Sequence, residues 1–131
     1  MSLHDAAASG DLEALRDRIE RGENVDGRNR LGQTPLMRAC FRGRLECAQA
    51  LINAGAAVDM VDNEGWTALM TACECGQLAR VEASIEAGAA VDMVENNRST
   101  ALMHACGNGR HECARALIDA NAAVHMVDNN E

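Results

Sequence analysis

GQTPLMRACFRGRLECAQALINAGAAVDMVDNE, residues 32–64, runs without a gap into GWTALMTACECGQLARVEASIEAGAAVDMVENN at 65–97 and RSTALMHACGNGRHECARALIDANAAVHMVDNN at 98–130. The first and third segments agree at 21 of 33 positions, and the first and second at 19 of 33. The phase extends backwards, since Leu3, Ala6, Gly10, Leu12, Ile19, Gly22, Val25 and Asp26 precede Leu36, Ala39, Gly43, Leu45, Ile52, Gly55, Val58 and Asp59 by 33 residues. A fixed period of this length marks a repeat architecture. One domain over 1–131 is expected, built of a shortened N-terminal capping unit at 1–31 and further units at 32–64, 65–97 and 98–131.

Each unit reads locally as two short helices and a turn. Thr34-Pro35 starts a helix, because a hydroxyl can cap it and proline's missing N–H costs nothing at the first helical position. Leu36, Ala39 and Cys40 form an apolar stripe at i, i+3, i+4 that stops at Gly43. A second stripe, Ala48, Leu51 and Ile52, stops at Gly55. Val58-Asp59-Met60-Val61 is extended and β-branched, and Asp62-Asn63-Glu64-Gly65 is a turn. A helix–helix–hairpin unit cannot bury its apolar faces alone, so stacking must supply the missing surface. Arg80 and Ser84 stand where neighbouring units carry Cys or Leu, which makes the second helix of the third unit the weakest.

Composition agrees. The 131 residues are 47% hydrophobic but 2% aromatic, with Phe41 and Trp66 alone and no Tyr, so the core must consist of thin layers of small and aliphatic side chains. No apolar run approaches the roughly 20 residues of a membrane-spanning helix, and the N-terminus is no signal peptide. An intracellular chain, cytoplasmic or nuclear, without membrane partners is expected. Net charge is −8 from 12 basic and 20 acidic residues, and every basic residue is Arg. Residues 1–44 hold eight Arg against seven acids, while 45–131 hold four against thirteen, a balance opposed to binding nucleic acid.

The six cysteines do not read as a disulfide framework. Cys40, Cys73 and Cys106 occupy equivalent positions of successive layers, roughly 8–10 Å apart, beyond the about 7 Å that a bridge tolerates. Buried thiols in a reducing compartment are the simpler reading. His104, Cys106, His111 and Cys113 are potential zinc ligands, but in this register Cys106 and Cys113 face the core and His104 an exposed side, so no metal site is expected. No nucleophile has a base and an orienter, no glycine-rich phosphate loop occurs, and no carboxylate pair is forced into apolar surroundings, so neither catalysis nor a cofactor is expected.

These units resemble the ankyrin repeat, whose pattern runs Gly-x-Thr-Pro-Leu-His-x-Ala-Ala-x-x-Gly, then a leucine-rich helix, then Gly-Ala-Asp-Val-Asn. GQTPLMRAC, GWTALMTAC and RSTALMHAC, followed by AGAAVD, AGAAVD and ANAAVH, carry the resemblance along the whole chain. It implies a mainly α repeat solenoid, a stack of helix–loop–helix units joined by β-hairpins. The family His gives way to Met37, Met70 and Met103, which removes the family's Thr–His hydrogen bond, and its closing Asn becomes Asp59, Asp92 and His125. Met60, Met93 and Met126 read as a structural ladder at the hairpin bases.

The resemblance also implies a non-catalytic protein-interaction module that binds a protein or peptide on its concave surface of hairpin tips and first helices. Carried over residue by residue, that surface comprises Arg28, Arg30, Gln33, Arg38, Phe41 and Arg42; then Asn63, Glu64, Trp66, Thr71, Glu74 and Cys75; then Asn96, Asn97, Ser99, His104, Gly107 and Asn108. Trp66 replaces Gln33 and Ser99 at a hairpin position expected to be exposed, and it is taken as an anchor. The neighbouring Arg28, Arg30, Arg38 and Arg42 suit an acidic segment of the partner. The last unit keeps the internal apolar pattern, so end-to-end self-association through an uncapped C-terminal layer, or truncation from a longer array, is expected. Two other readings stay open at this point: an engineered or idealised scaffold without a natural ligand, and a regulatory fragment of a larger multidomain protein.

Overall fold

The computed structural model describes residues 2–120, and His125, Met126 and the other residues of 121–131 lie outside the described residues. Within them the chain forms helices in pairs. They are α1 (Leu3–Ser9), α2 (Leu12–Glu20), α3 (Pro35–Arg42), α4 (Leu45–Asn53), α5 (Ala68–Cys75), α6 (Leu78–Glu86), α7 (Ala101–Gly107) and α8 (His111–Asp119). The odd-numbered helices pack on one another in sequence order, as do the even-numbered ones, and each odd helix also packs on the even helix that follows it. The result is a two-row helical stack, the repeat solenoid that the period required.

The starts of α3, α5 and α7 are alike for a physical reason. Thr34, Thr67 and Thr100 hold extended backbone, and their hydroxyls accept hydrogen bonds from the amides of Met37, Met70 and Met103 at 3.3, 3.2 and 3.2 Å. In α3 the Met37 sulfur takes over part of the missing histidine's work, accepting from the Thr34 amide at 3.4 Å. The ends of α1, α3 and α5 are set by Gly10, Gly43 and Gly76, left-handed at φ 79°, 77° and 70°. A side chain at Gly43 or Gly76 would also meet an arginine of the following unit, because Arg80 Nη1 and Arg110 Cδ lie 3.0 and 2.7 Å from the place of a Cβ.

The connections fold back on themselves, but among the described residues only Val94 and Thr100 form a β-bridge, so the expected hairpins are reduced to their tips. Each tip closes by a backbone bond: Asn29 to Gln33, Asp62 to Trp66 and Glu95 to Ser99, at 3.0, 2.9 and 3.1 Å. Successive tips are tied together, the Asn63 amide donating to Leu31 and the Asn96 amide to Glu64 at 3.0 and 2.9 Å. Below the tips, Asp26 Oδ1 accepts from the Ala57 amide and Asp59 Oδ1 from the Ala90 amide, at 2.9 and 2.8 Å. The aspartates that replace the family asparagine therefore act as rungs between units.

Candidate functional site

The hairpin tips and the exposed sides of α3, α5 and α7 make one continuous face. On its second-unit portion Arg28, Arg30, Phe41 and Arg42 are exposed, while Gln33 and Arg38 are half-buried. Phe41 is 55% exposed, and Leu31, at the adjoining hairpin tip, is 62% exposed. The Arg38 guanidinium carbon lies 5.9 Å from the centroid of the Phe41 ring, an exposed cation–π contact. None of these four arginines has a carboxylate partner among the described residues, whereas Arg18 pairs with Glu23 and Arg21 with Asp17. Sequence reasoning missed Leu31; its replacement by Glu64 and Asn97 at equivalent positions was the available signal.

The third- and fourth-unit portion differs from expectation. Trp66 is half-buried rather than exposed, packed on the core of these two units. Its ring stacks on His104 with centroids 4.3 Å apart and planes tilted by 31°. His104 is therefore not on an open side: its Nδ1 faces Glu74 Oε1 at 3.8 Å and its Nε2 faces Glu95 Oε2 at 3.6 Å. Nε2 is buried without a hydrogen bond among the described residues. Glu95, which no expectation included, is almost wholly buried because its Oε1 accepts the Asn97 and Ser99 amides at 2.7 and 3.0 Å and so builds the hairpin tip. The shorter Asp62 does the same work one unit earlier, and the exchange of Asp for Glu was the visible trace. The extra methylene carries the second oxygen to the imidazole.

Other expected site residues have structural duties. Asn63 and Asn96 join consecutive tips through side-chain bonds to the Arg30 and Asn63 carbonyls, at 3.0 and 3.4 Å. Asn108 donates to both Glu74 and the His104 carbonyl, and the Thr71 hydroxyl to the Thr67 carbonyl. Glu64, Asn97 and Gly107 are exposed, and Ser99 is half-buried.

Two thiols depart from expectation in opposite senses. Cys106 is exposed, because among the described residues no further layer covers that side of α7, while Cys40 and Cys73, its equivalents, are enclosed by the layer that follows each. Burial pushes the Cys40 and Cys73 thiols up to about 12, which leaves them neutral at ordinary pH, and it raises Cys47 and Cys113 as well. All six cysteines are free. Cys75 is half-buried at the end of α5.

A two-row stack of capped helix pairs with hairpin tips along one edge defines a helical repeat solenoid. The model for Ankyrin repeats (3 copies) matches residues 3–83, and that for a single Ankyrin repeat matches residues 97–129. The chain belongs to the ankyrin-repeat family. Members of that family are generally protein–protein interaction modules and typically non-catalytic. No curated protein matches the chain. Among the described residues, no helix is long and apolar enough to cross a membrane.

Proposed function

We propose that residues 1–131 act as one non-catalytic interaction module that takes an acidic, partly apolar segment of a partner protein on the second-unit portion of the face. The observation that carries this reading is the set of Arg28, Arg30, Arg38 and Arg42, without carboxylate partners among the described residues and beside the exposed Leu31 and Phe41. Guanidinium groups bind carboxylates in a forked geometry, and arginine carries much of the energy of many interfaces. The apolar pair adds area that gains from leaving water. The stack holds this surface before the partner arrives, so little ordering opposes binding. Trp66, stacked on His104, serves as part of the scaffold rather than as a free anchor.

The test is a pull-down from concentrated lysate with the wild type and an Arg38→Glu, Arg42→Glu variant, after circular dichroism has shown equal helix content. A protein held by the wild type and released by the variant is expected, and its bound region should be acidic. Retention by both, or by neither, would sink this assignment of the surface.

A further inference from the structure

The face changes sign along the stack, and the change falls between neighbouring rows. Arg38, Thr71 and His104 are equivalent residues of α3, α5 and α7, so the rows that they head lie roughly 10 Å apart. Around Arg38 the side chains are cationic and apolar. Around His104 two carboxylates and an indole converge on one imidazole: Glu74 at 3.8 Å, Glu95 at 3.6 Å and the Trp66 ring at 4.3 Å between centroids. Whether His104 is neutral or protonated, two carboxylates outweigh one imidazole and the cluster stays negative. Glu95 is enclosed, but the Glu74 side chain is 44% exposed, and Asn108 holds it in place. Glu64 is exposed at the hairpin tip two residues before Trp66. A carboxylate held beside an aromatic ring is a setting in which a cationic side chain gains from both.

We propose that this face reads the charge polarity of its partner: the acidic stretch lies over the second-unit arginines, and a lysine or arginine reaches the exposed Glu74 carboxylate, at the open edge of the enclosed Trp66–His104–Glu95 cluster, one to two rows on. The inference rests on the acidic-segment reading above and adds the partner's second half. In an extended segment the two charges would stand about three to six residues apart, at roughly 3.3 Å per residue. The same arrangement disfavours wholly acidic segments, whose far end would meet Glu64 and Glu74, and so supplies discrimination by repulsion as well as by attraction.

Fluorescence anisotropy with labelled peptides of about twelve residues tests the proposal. One probe carries a Glu/Leu block followed by an Arg pair, a second has the two blocks in reverse order, and a third has Ser in place of the Arg pair. At least one Arg-bearing probe should bind about tenfold more tightly than the Ser probe. That advantage should vanish in a Glu64→Gln, Glu74→Gln variant, whose binding of the Ser probe should hold or improve. Because this variant removes two of the 20 acidic residues, general attraction of the acidic chain for a basic peptide would survive in it. Equal binding of Arg and Ser probes, survival of the advantage in the variant, or equal weakening of every probe would overturn the polarity while leaving the acidic-segment reading standing. Failure of all three probes to bind the wild type would remove both.

Discussion

At the scale of single residues, the buried thiols do two things at once. Cys40 and Cys73 fill the thin space between layers where a larger aliphatic side chain would force them apart. They also make stability depend on pH in the alkaline range. The chain has no Tyr and no Lys, so thiols are the side chains whose ordinary values open the window between pH 9 and 12. Folding raises the thiol value from 9.0 to about 12 at both positions through burial. A raised value means that the folded form keeps its proton where the unfolded form has lost it. The stabilising contribution is thus complete below about pH 9 and is lost as pH rises toward about 12. Each such thiol lowers stability by about 1.4 kcal/mol per pH unit across that window. Urea midpoints measured under reducing conditions should hold from pH 7 to 8.5 and fall steeply by pH 10.5. In a Cys40→Ala, Cys73→Ala variant the neutral-pH midpoint should be lower and the alkaline fall markedly smaller. An alkaline fall of undiminished size would show that these thiols ionise in the folded protein.

At the scale of the helix, the third unit's irregularity turns out to be a displaced function. Arg44 passes over the Gly10 turn, its Nε donating to the Ala8 carbonyl at 3.0 Å, and Arg110 lies against Gly76 in the same way. Both arginines stand immediately before a second helix, where they oppose the negative end of the preceding unit's first helix. The equivalent residue in the third unit is Gln77, and there Arg80, one turn into α6, brings its guanidinium to the Gly43 turn instead. Arg80→Cys alone should cost about 1–2 kcal/mol, because it removes this contact and much buried volume. Adding Gln77→Arg should recover at least half of that cost, a coupling that urea denaturation of the four members of the cycle would measure. Additive effects would mean that the two positions do not share a role. The sequence alone could not show this exchange. A 33-residue period reveals contacts between equivalent positions, and from it the helices, their caps and the stacking order were legible. Arg80 against Gly43 and Trp66 against His104 are contacts off that register, made by side chains that occur once, so no repetition announced them. For the same reason the exposure of Arg28, Arg30 and Arg42 could be read and the enclosure of His104 could not.

At the scale of the whole stack, these local exchanges leave a seam. One buried cluster runs from Leu3 to Ala68 and a second from Leu69 to Leu117. Where α4 meets α6, the former offers Cys47, Ala48 and Leu51, but the latter answers with Arg80, Val81 and Ser84. Ser84 is 2% exposed, and its hydroxyl has no hydrogen-bond partner among the described residues; nor has Arg80 Nε. A buried polar atom left unpaired costs about 1–3 kcal/mol, and here that cost falls on the junction through which the two halves support each other. Stability in a stack is the sum of unit terms and nearest-neighbour interfaces, so a weak interface in the middle divides the cooperative unit. Native-state amide exchange should find α1 to α4 opening together and α5 to α8 opening together, with distinct free energies. Ser84→Ala removes the unpaired hydroxyl without requiring space, and should raise stability by about 1 kcal/mol while drawing the two opening energies closer. Because the basic and acidic portions of the proposed binding face lie on opposite sides of this seam, the same substitution would stiffen the register between them. If Ser84→Ala instead lowers the stability of both halves equally, the hydroxyl has a partner, and the seam must be sought elsewhere.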